Sequence, residues 1–523
     1  MASSRWPRIA AYGVCAAFLL AGVFGDFHYP DEGFYVLAGQ SAFGPRPLYS
    51  EVPYFHMPGF AVVVAGLQAV VGPDLTLLRL ALAVVAFAAL LLVGAVVRRE
   101  KGPEAETIYA VLVAASPFVL TTLPTIASYS AVAGLTLALC AYGLVLRSPS
   151  GAALAGVGIG LATACRVAYA PAAGLLLIAL WRRDGLRTAA IFAATAATSL
   201  LALAGWWLLR DPAAAWNNVI AAQLERARWT PYLWTVDPWR SRLDVAFSLL
   251  LHLFAPLVVT MPLWRSWFAR RRAGATDKPA LLGVLIVGAV LAHFVPTPSY
   301  LVYFVSLVPL ILAVCAIAVA GRGIRRLNGL LAGAALVGLC AQDTVFVHGQ
   351  PYPLAWTAEL AGVVGGEARG WDRAVAALRE RTPEGATVWS FDTSLVVQAG
   401  RRVPPGFEMS YFAFYPKATP EYAAARRILD PSRALAPLRA REVAAVVASK
   451  KFAWDVLRND TGTRATLWRQ ICGGYQPEVR FADAVYGEIW LLMPREAAAV
   501  DPCCERLFEA ERAGPASCPE AAG

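Results

Sequence analysis

Residues able to do chemistry fall in a few places along this chain. The densest is Asp26-Phe27-His28-Tyr29-Pro30-Asp31-Glu32-Gly33-Phe34-Tyr35, which holds three carboxylates and a histidine within seven residues. It follows directly on the apolar run 9–24. Charge beside a bilayer is costly enough to mark a functional site. Asp31 and Glu32 are adjacent, so on a helix they point about 100° apart and would do different jobs. One would face a substrate while the other holds a metal or a basic side chain. Two close carboxylates also raise one apparent pKa, which suits a general base. Asp31 and Glu32 are therefore the catalytic candidates. Asp31 equally suits the plainer role of N-cap for a surface helix starting at Glu32.

Arg166 stands in the otherwise apolar Ala164-Cys165-Arg166-Val167. A guanidinium there must reach water, a carboxylate or an anion. It either snorkels to the headgroups or holds a lipid phosphate, whose geometry it matches. Arg79 opens another apolar run and reads as a structural or headgroup anchor. Residues 210–245 carry Trp216, Trp229, Tyr232, Trp234 and Trp239 among five arginines. Most of these fit an interfacial belt, leaving Arg226 and Arg228 as phosphate candidates. Pro296-Thr297-Pro298-Ser299-Tyr300 makes a turn, with Tyr303 close behind, that either lines a cavity mouth or is an ordinary turn. The histidines are His28, His56, His252, His293 and His348. No two of them share ligand spacing on one helix. Asp26, His28, Glu32 and His293 are the set that could hold a divalent metal such as Mg, Mn or Zn.

The elements that must carry these residues follow from composition. Hydrophobic residues make up 58% of the 523, and only 16% are charged, against roughly 25% in a soluble domain. That excludes a soluble enzyme, a disordered chain and a fibrous protein, and leaves an α-helical polytopic membrane protein. Residues 1–347 are successive runs of Ala, Leu, Val and Gly, whereas 348–523 have the composition of a water-soluble domain. The net charge of +10 comes with no nucleic-acid motif. In the first part it sits in short clusters: Arg5/Arg8, Arg98/Arg99/Lys101, Arg147, Arg182/Arg183/Arg187, Arg265/Arg270/Arg271/Arg272/Lys278 and Arg322/Arg325/Arg326. Such clusters mark cytoplasmic helix ends and contact anionic lipids.

Placing every cluster inside requires an even number of spans between neighbours. The short run 58–71 then becomes an amphipathic helix lying on or dipping into the outer surface. The run 151–181, interrupted by Arg166 and Pro171, becomes a hairpin of two spans turning near Arg166. This gives about eleven spans, near 9–25, 75–97, 106–122, 127–146, 151–167, 169–181, 188–209, 246–264, 279–295, 299–320 and 328–347. The loops 26–74 and 210–245 and the C-terminal domain fall outside, and the N-terminus inside. All five histidines come to lie at or near the outer side. The first apolar run lacks a small-x-small cleavage site and reads as an uncleaved helix.

In the C-terminal part, Trp371–Glu380 reads as a helix. Thr387–Phe391, Val443–Ala448 and Glu488–Met493 read as buried strands, making a small α/β domain. Of nine cysteines, Cys15, Cys140, Cys165, Cys315 and Cys340 lie in apolar runs. Cys472, Cys503, Cys504 and Cys518 could form disulfides if that part is exported.

The first loop resembles the "DE…Y" loop of GT-C fold glycosyltransferases, which include the protein O-mannosyltransferases and the lipid A aminoarabinose transferases. The matching residues are Pro30-Asp31-Glu32-Gly33-Phe34-Tyr35. Tyr54-Phe55-His56-Met57-Pro58-Gly59 resembles that family's entry to a juxtamembrane helix. Gly72-Pro73-Asp74 with Arg79-Leu80 resembles its "FG…RL" stretch, and Ser299-Tyr300 with Pro309 its late "Y…P". The resemblance covers residues 1–347. Two positions depart from it. The family's lysine is Met57 here, with His56 beside it to substitute, and a further aspartate is absent from Ile126-Ala127-Ser128-Tyr129.

The resemblance implies an inverting glycosyltransferase working at the outer membrane face with a polyprenyl-phosphate sugar donor. The carboxylate at Asp31 would be the general base. Arg166, with His56, Arg226, Arg228 and Tyr300, would bind the donor phosphate, and a divalent metal could assist there. The partners implied are the lipid-linked sugar, membrane lipids and an acceptor that is a protein, a lipid or a glycan. A bacterial-type inner or plasma membrane is the expected location. Two rivals stand beside this reading: a flippase or transporter of a lipid-linked precursor, and a non-catalytic scaffold of the cell envelope.

Overall fold

A computed structural model describes residues 5–24, 31–126, 129–225, 239, 242–249, 253, 280–295, 301–320, 344–347, 350–353, 370–449, 461–483 and 487–495. The first part is a bundle of apolar helices. In chain order they are α1 (Trp6–Phe24), α2 (Asp31–Ala42), α3 (Gly59–Val71), α4 (Leu75–Lys101), α5 (Pro103–Ala114), α6 (Pro117–Thr122), α7 (Ser130–Leu146) and α8 (Pro149–Cys165). There follow α9 (Ala170–Asp184), α10 (Leu186–Arg210), α11 (Pro212–Trp216), α12 (Ala280–His293) and α13 (Val308–Val319).

Local chemistry sets these ends. Asp74 caps α4 by accepting from the Leu77 amide at 2.9 Å. The last turn of α4 carries Arg98, Arg99 and Lys101, favourable against the helix dipole. Ser148 caps α8 by accepting from Gly151 at 3.0 Å, with Pro149 in its first turn. In the middle of α8, Gly158 abuts the α7 backbone at Thr136 and Cys140, and Gly160 abuts α10 at Ala196. Small residues let membrane helices approach backbone to backbone.

By length and composition α1, α4 and α10 can each cross a bilayer, and α3, α7, α8 and the helices at 281–293 and 308–318 are shorter apolar helices. The expected span 106–122 is two helices, α5 and α6, parted at Ala115 and Ser116 before Pro117. The run 151–181 breaks where expected: α8 stops at Arg166, which is extended, and a single 3-10 turn, Val167–Tyr169, leads into α9. The expected spans at 246–264 and 328–347 lie mainly outside the described residues. The end of the latter is a strand and not a helix: β1 (Thr344–Val347) pairs antiparallel with β2 (Gln350–Pro353), so a hairpin straddles the expected domain boundary at 347/348.

Helix α3, expected on or dipping into the outer surface, has its first turn buried at Gly59, Phe60 and Ala61, while Val70 at its far end is exposed.

The C-terminal elements are α14 (Gly370–Arg381), β3 (Val388–Trp389), α15 (Thr393–Gln398), α16 (Pro420–Arg426), α17 (Pro431–Arg439), β4 (Ala445–Ser449), α18 (Thr461–Gly474), β5 (Tyr475–Asp483) and β6 (Gly487–Pro494). The four-stranded sheet runs β3-β4-β6-β5. Strands β3 and β4 are parallel, and the other pairs are antiparallel. Every residue of β4 is buried, as expected of a strand covered on both faces. The helix and three of the strands match their expected positions, and β5 was not expected. Cys472 is disulfide-bonded, while Cys15, Cys140, Cys165 and Cys315 are buried in the helical bundle.

The C-terminal elements dock on the end of the bundle that carries α2. The Gly33 amide donates to Ser394 Oγ at 2.8 Å. Phe34 meets Phe412 edge to face at 5.7 Å, and Arg46 pairs with Glu408. A second tether joins Glu225 to Arg426 at 2.7 Å and to the Tyr422 hydroxyl.

Candidate active site

Helix α2 carries both acidic candidates in its first turn, where carboxylates complement the helix dipole. It is no surface helix: Gly33–Gly39 and Ala42 are all buried beneath the C-terminal elements and against α3. The two carboxylates part company as their spacing predicts. Asp31 is partly exposed, and Glu32 is 0% exposed. Glu32 Oε1 accepts from Arg79 Nε at 2.9 Å and from the Ile126 amide at 3.0 Å. Its Oε2 accepts from Arg79 Nη2. Arg79 Nη1 also reaches the Val23 carbonyl at 3.4 Å. Of the two roles open to the second carboxylate, holding a metal or a basic side chain, Glu32 takes the latter. The pair ties the ends of α1, α2, α4 and α6 together directly beside Asp31.

Arg166 sits where α8 ends. Gly59 packs so closely there that a Cβ on it would lie 2.5 Å from the Ala164 carbonyl oxygen. Only 6% of Arg166 is exposed, so it does not snorkel outward. Its Nη1 donates to the Tyr129 hydroxyl. Its Cζ lies 3.6 Å from the Tyr303 ring centroid and 5.0 Å from that of Tyr129. Tyr129 is held at φ +47°, left-handed, immediately before α7. Such strain persists only where the surroundings over-determine it. Among the described residues no carboxylate lies within ion-pairing distance of Arg166. A buried guanidinium lined by phenols in this way presents an unneutralised positive charge.

Tyr35 lies one turn along α2 from Asp31. Burial pushes its phenol up, and the neighbouring Tyr54 and Tyr129 and the Asp31 carboxylate push the same way. Arg166 opposes them. Tyr35 therefore lies within electrostatic reach of both Asp31 and Arg166. His56 stacks on Phe34 and Tyr35, with ring centroids 6.1 and 5.7 Å away, and meets Tyr54 edge to face. Its carbonyl accepts from the Tyr49 hydroxyl at 2.7 Å. Asn218 and Gln223 fix this loop by bonding the Tyr54 amide and the Phe55 carbonyl. His293 Nδ1 bonds the Ala289 carbonyl at 2.6 Å, and its ring meets Tyr169 and Tyr303.

On α2 Asp31 lies one turn before Tyr35, His56 stacks on Tyr35, and Arg166 and His293 both meet the Tyr303 ring. Asp26, His28, Arg226, Arg228 and Tyr300 lie outside the described residues. Among the described residues no three His, Cys, Asp or Glu side chains group in a way that could hold a metal. Of the four residues expected to hold a metal, Glu32 is engaged by Arg79 and His293 bonds the Ala289 carbonyl, while Asp26 and His28 lie outside the described residues. Sequence reasoning did not find Tyr129 as the partner of Arg166, nor the Arg79–Glu32 pair, nor Ser394. Tyr129 had one signal, its place in the stretch where the family's further aspartate is absent.

No family model matches the sequence, and no curated protein matches it. Solved structures do. ArnT from Cupriavidus metallidurans in the apo state aligns with TM-score 0.64 at 13% identity, over 94% of this chain and 98% of that chain. The same protein bound to undecaprenyl phosphate aligns with TM-score 0.63 at 15% identity, over 95% of this chain and 100% of that chain. The chain has the GT-C fold. The Archaeoglobus fulgidus oligosaccharyltransferase tethered with an acceptor peptide also aligns, with TM-score 0.51 at 13% identity, over 95% of this chain and 74% of that chain. ArnT and this oligosaccharyltransferase are both GT-C fold membrane glycosyltransferases.

Proposed function

We propose that this GT-C chain is an inverting membrane glycosyltransferase. It moves a sugar from a polyprenyl-phosphate donor to an acceptor hydroxyl on a protein, a lipid or a glycan. The observation that carries this reading is Arg166, a buried guanidinium lined by Tyr129 and Tyr303. Undecaprenyl phosphate in the ArnT structure supports the class of ligand.

Asp31 is the general base. It takes the proton of the acceptor hydroxyl as that oxygen bonds to the anomeric carbon from the face opposite the donor phosphate. The anomeric carbon–oxygen bond to phosphate breaks, and its electron pair leaves with the polyprenyl phosphate. A phosphate monoester has a second pKa of about 6, so it departs as an anion and needs cations more than an acid. Arg166 supplies the positive charge, and the Tyr129 and Tyr303 hydroxyls add hydrogen bonds. His56, Arg226, Arg228 and Tyr300 belong to the same donor site. Glu32 serves as a positioning residue, holding the start of α2 through Arg79.

The first part of the chain spans a bacterial-type plasma membrane with its N-terminus in the cytoplasm and its C-terminal domain outside. The disulfide-bonded Cys472 supports an oxidising compartment for that domain.

Binding of undecaprenyl phosphate to the purified chain in nanodiscs, read by native mass spectrometry, tests the donor site. Wild type is expected to bind it, and Arg166→Leu to bind at least about tenfold more weakly, because a desolvated phosphate loses its bidentate partner. Arg166→Lys should not restore the affinity, since a point charge cannot reproduce the stacked fork. Equal binding by wild type and Arg166→Leu would overturn the assignment.

A further inference from the structure

The loop that carries His56 forms neither helix nor strand at residues 54–57, yet Tyr54 and Phe55 are buried. Buried backbone groups must find partners, and here side chains supply them at three successive residues. The Tyr54 amide donates to Asn218 Oδ1 at 3.0 Å. Gln223 Nε2 donates to the Phe55 carbonyl at 2.6 Å, and the Tyr49 hydroxyl to the His56 carbonyl at 2.7 Å. Two of these partners, Asn218 and Gln223, come from one short segment directly after α11.

On a regular helix, residues five apart point about 140° from each other, so Asn218 and Gln223 would diverge. The chain instead makes a π-helical turn, Asn217–Ala221, closed by the Ala222 amide on the Asn217 carbonyl. A turn bonded in this way brings positions five apart towards one side, and such turns are frequent at functional sites. Asn218 is 2% exposed and is fixed by donating from Nδ2 to the Ala214 carbonyl at 2.9 Å. Both ends of the segment are held by one residue of α16. Arg426 Nη1 donates to Asn217 Oδ1 at 3.3 Å, and its Nη2 to Glu225 Oε1 at 2.7 Å. The Tyr422 hydroxyl donates to the other Glu225 oxygen.

We infer that Arg426 is a positioning residue for the donor site: it holds the segment Asn217–Glu225, whose Asn218 and Gln223 in turn fix the loop that carries His56. Affinity for a polyprenyl phosphate then depends on the Glu225–Arg426 pair, which acts from outside the phosphate site. This rests on the reading of Arg166 and His56 as donor-site residues. The C-terminal part is thereby coupled to the donor site, and by linkage a bound polyprenyl phosphate strengthens the hold of that part on the bundle.

Two measurements on the full chain in nanodiscs test this together: hydrogen exchange of the Tyr54 amide, and undecaprenyl phosphate binding by native mass spectrometry. Arg426→Leu should speed exchange at Tyr54 about tenfold and weaken binding about three- to tenfold. The amides of β4, in the core of the C-terminal part, should exchange as in wild type. Gln223→Met, which keeps the length but loses the donor, should weaken binding similarly. Adding Arg426→Leu to Gln223→Met should cost little more, because both act through one segment. If Arg426→Leu also loosens β4, Glu225→Gln decides, since it breaks the same pair from the bundle side. Wild-type binding in Arg426→Leu or in Glu225→Gln, with Arg166→Leu weakened, would overturn the inference alone, whether or not Tyr54 exchanges faster. Fully additive losses in the double variant would mark Arg426 as merely structural. Wild-type binding in Arg166→Leu would sink the donor-site reading and this inference with it.

Discussion

Arg79 closes on both carboxylate oxygens of Glu32 inside the bundle, where Arg79 is 2% and Glu32 0% exposed. Removing one partner of such a pair strands the other charge, at about 3–5 kcal/mol. Glu32→Ala should therefore lower the thermal unfolding midpoint of the solubilised protein sharply. Replacing both residues with Met should recover most of the loss. A Glu32→Ala protein as stable as wild type would show that the pair does not hold the start of α2.

Gly59 supplies the second prediction. A methyl group there meets the Ala164 carbonyl oxygen at 2.5 Å, so the start of α3 must move away from the end of α8. Overpacking of this kind costs about 1–3 kcal/mol. Because Ala164 lies two residues before Arg166, Gly59→Ala should weaken undecaprenyl phosphate binding along with stability. A Cβ on Gly66, in the middle of α3, would meet nothing within 4 Å, so Gly66→Ala should leave binding unchanged and should not lower stability, alanine being the better helix former.

Glu408 carries a pH dependence. Burial raises its carboxyl above the ordinary 4.5, and Arg46 lowers it by less. Since the folded value lies above the unfolded one, the folded state binds the proton more tightly. The resulting stability is complete below the ordinary value and is lost as pH rises through the raised one. The unfolding midpoint of wild type should thus fall more from pH 4 upward than that of Glu408→Gln, until Glu408 is fully ionised. Parallel curves for the two proteins would contradict this.

What the sequence made legible was charge in the wrong surroundings. Asp31, Glu32 and Arg166 stand out because ionisable groups beside or within apolar runs are rare. The break at Arg166 could be read for the same reason, with Pro171 just beyond it. What stayed hidden was which residue each charge meets. Glu32 finds Arg79 47 residues on, and Arg166 finds Tyr129 37 residues back. Tyrosines near helix ends are expected at any membrane interface, so nothing in their type marked Tyr129 or Tyr303.

Strand β5 was missed because Pro477 breaks its pattern. The structure accommodates that proline on an edge strand, with a register shift between Pro477 and Val479. Ser394 gave no signal at all, since a lone serine far along the chain acquires meaning only when the C-terminal part docks on Gly33.

Asp31 is tested most directly by mass spectrometry of the polyprenyl-phosphate sugars in membranes of cells carrying wild type or Asp31→Asn, at matched membrane insertion. If Asp31 is the base, one lipid-linked sugar accumulates in the variant, and its mass identifies the sugar class the protein consumes. Identical lipid pools with unchanged outer glycans would contradict catalysis through Asp31.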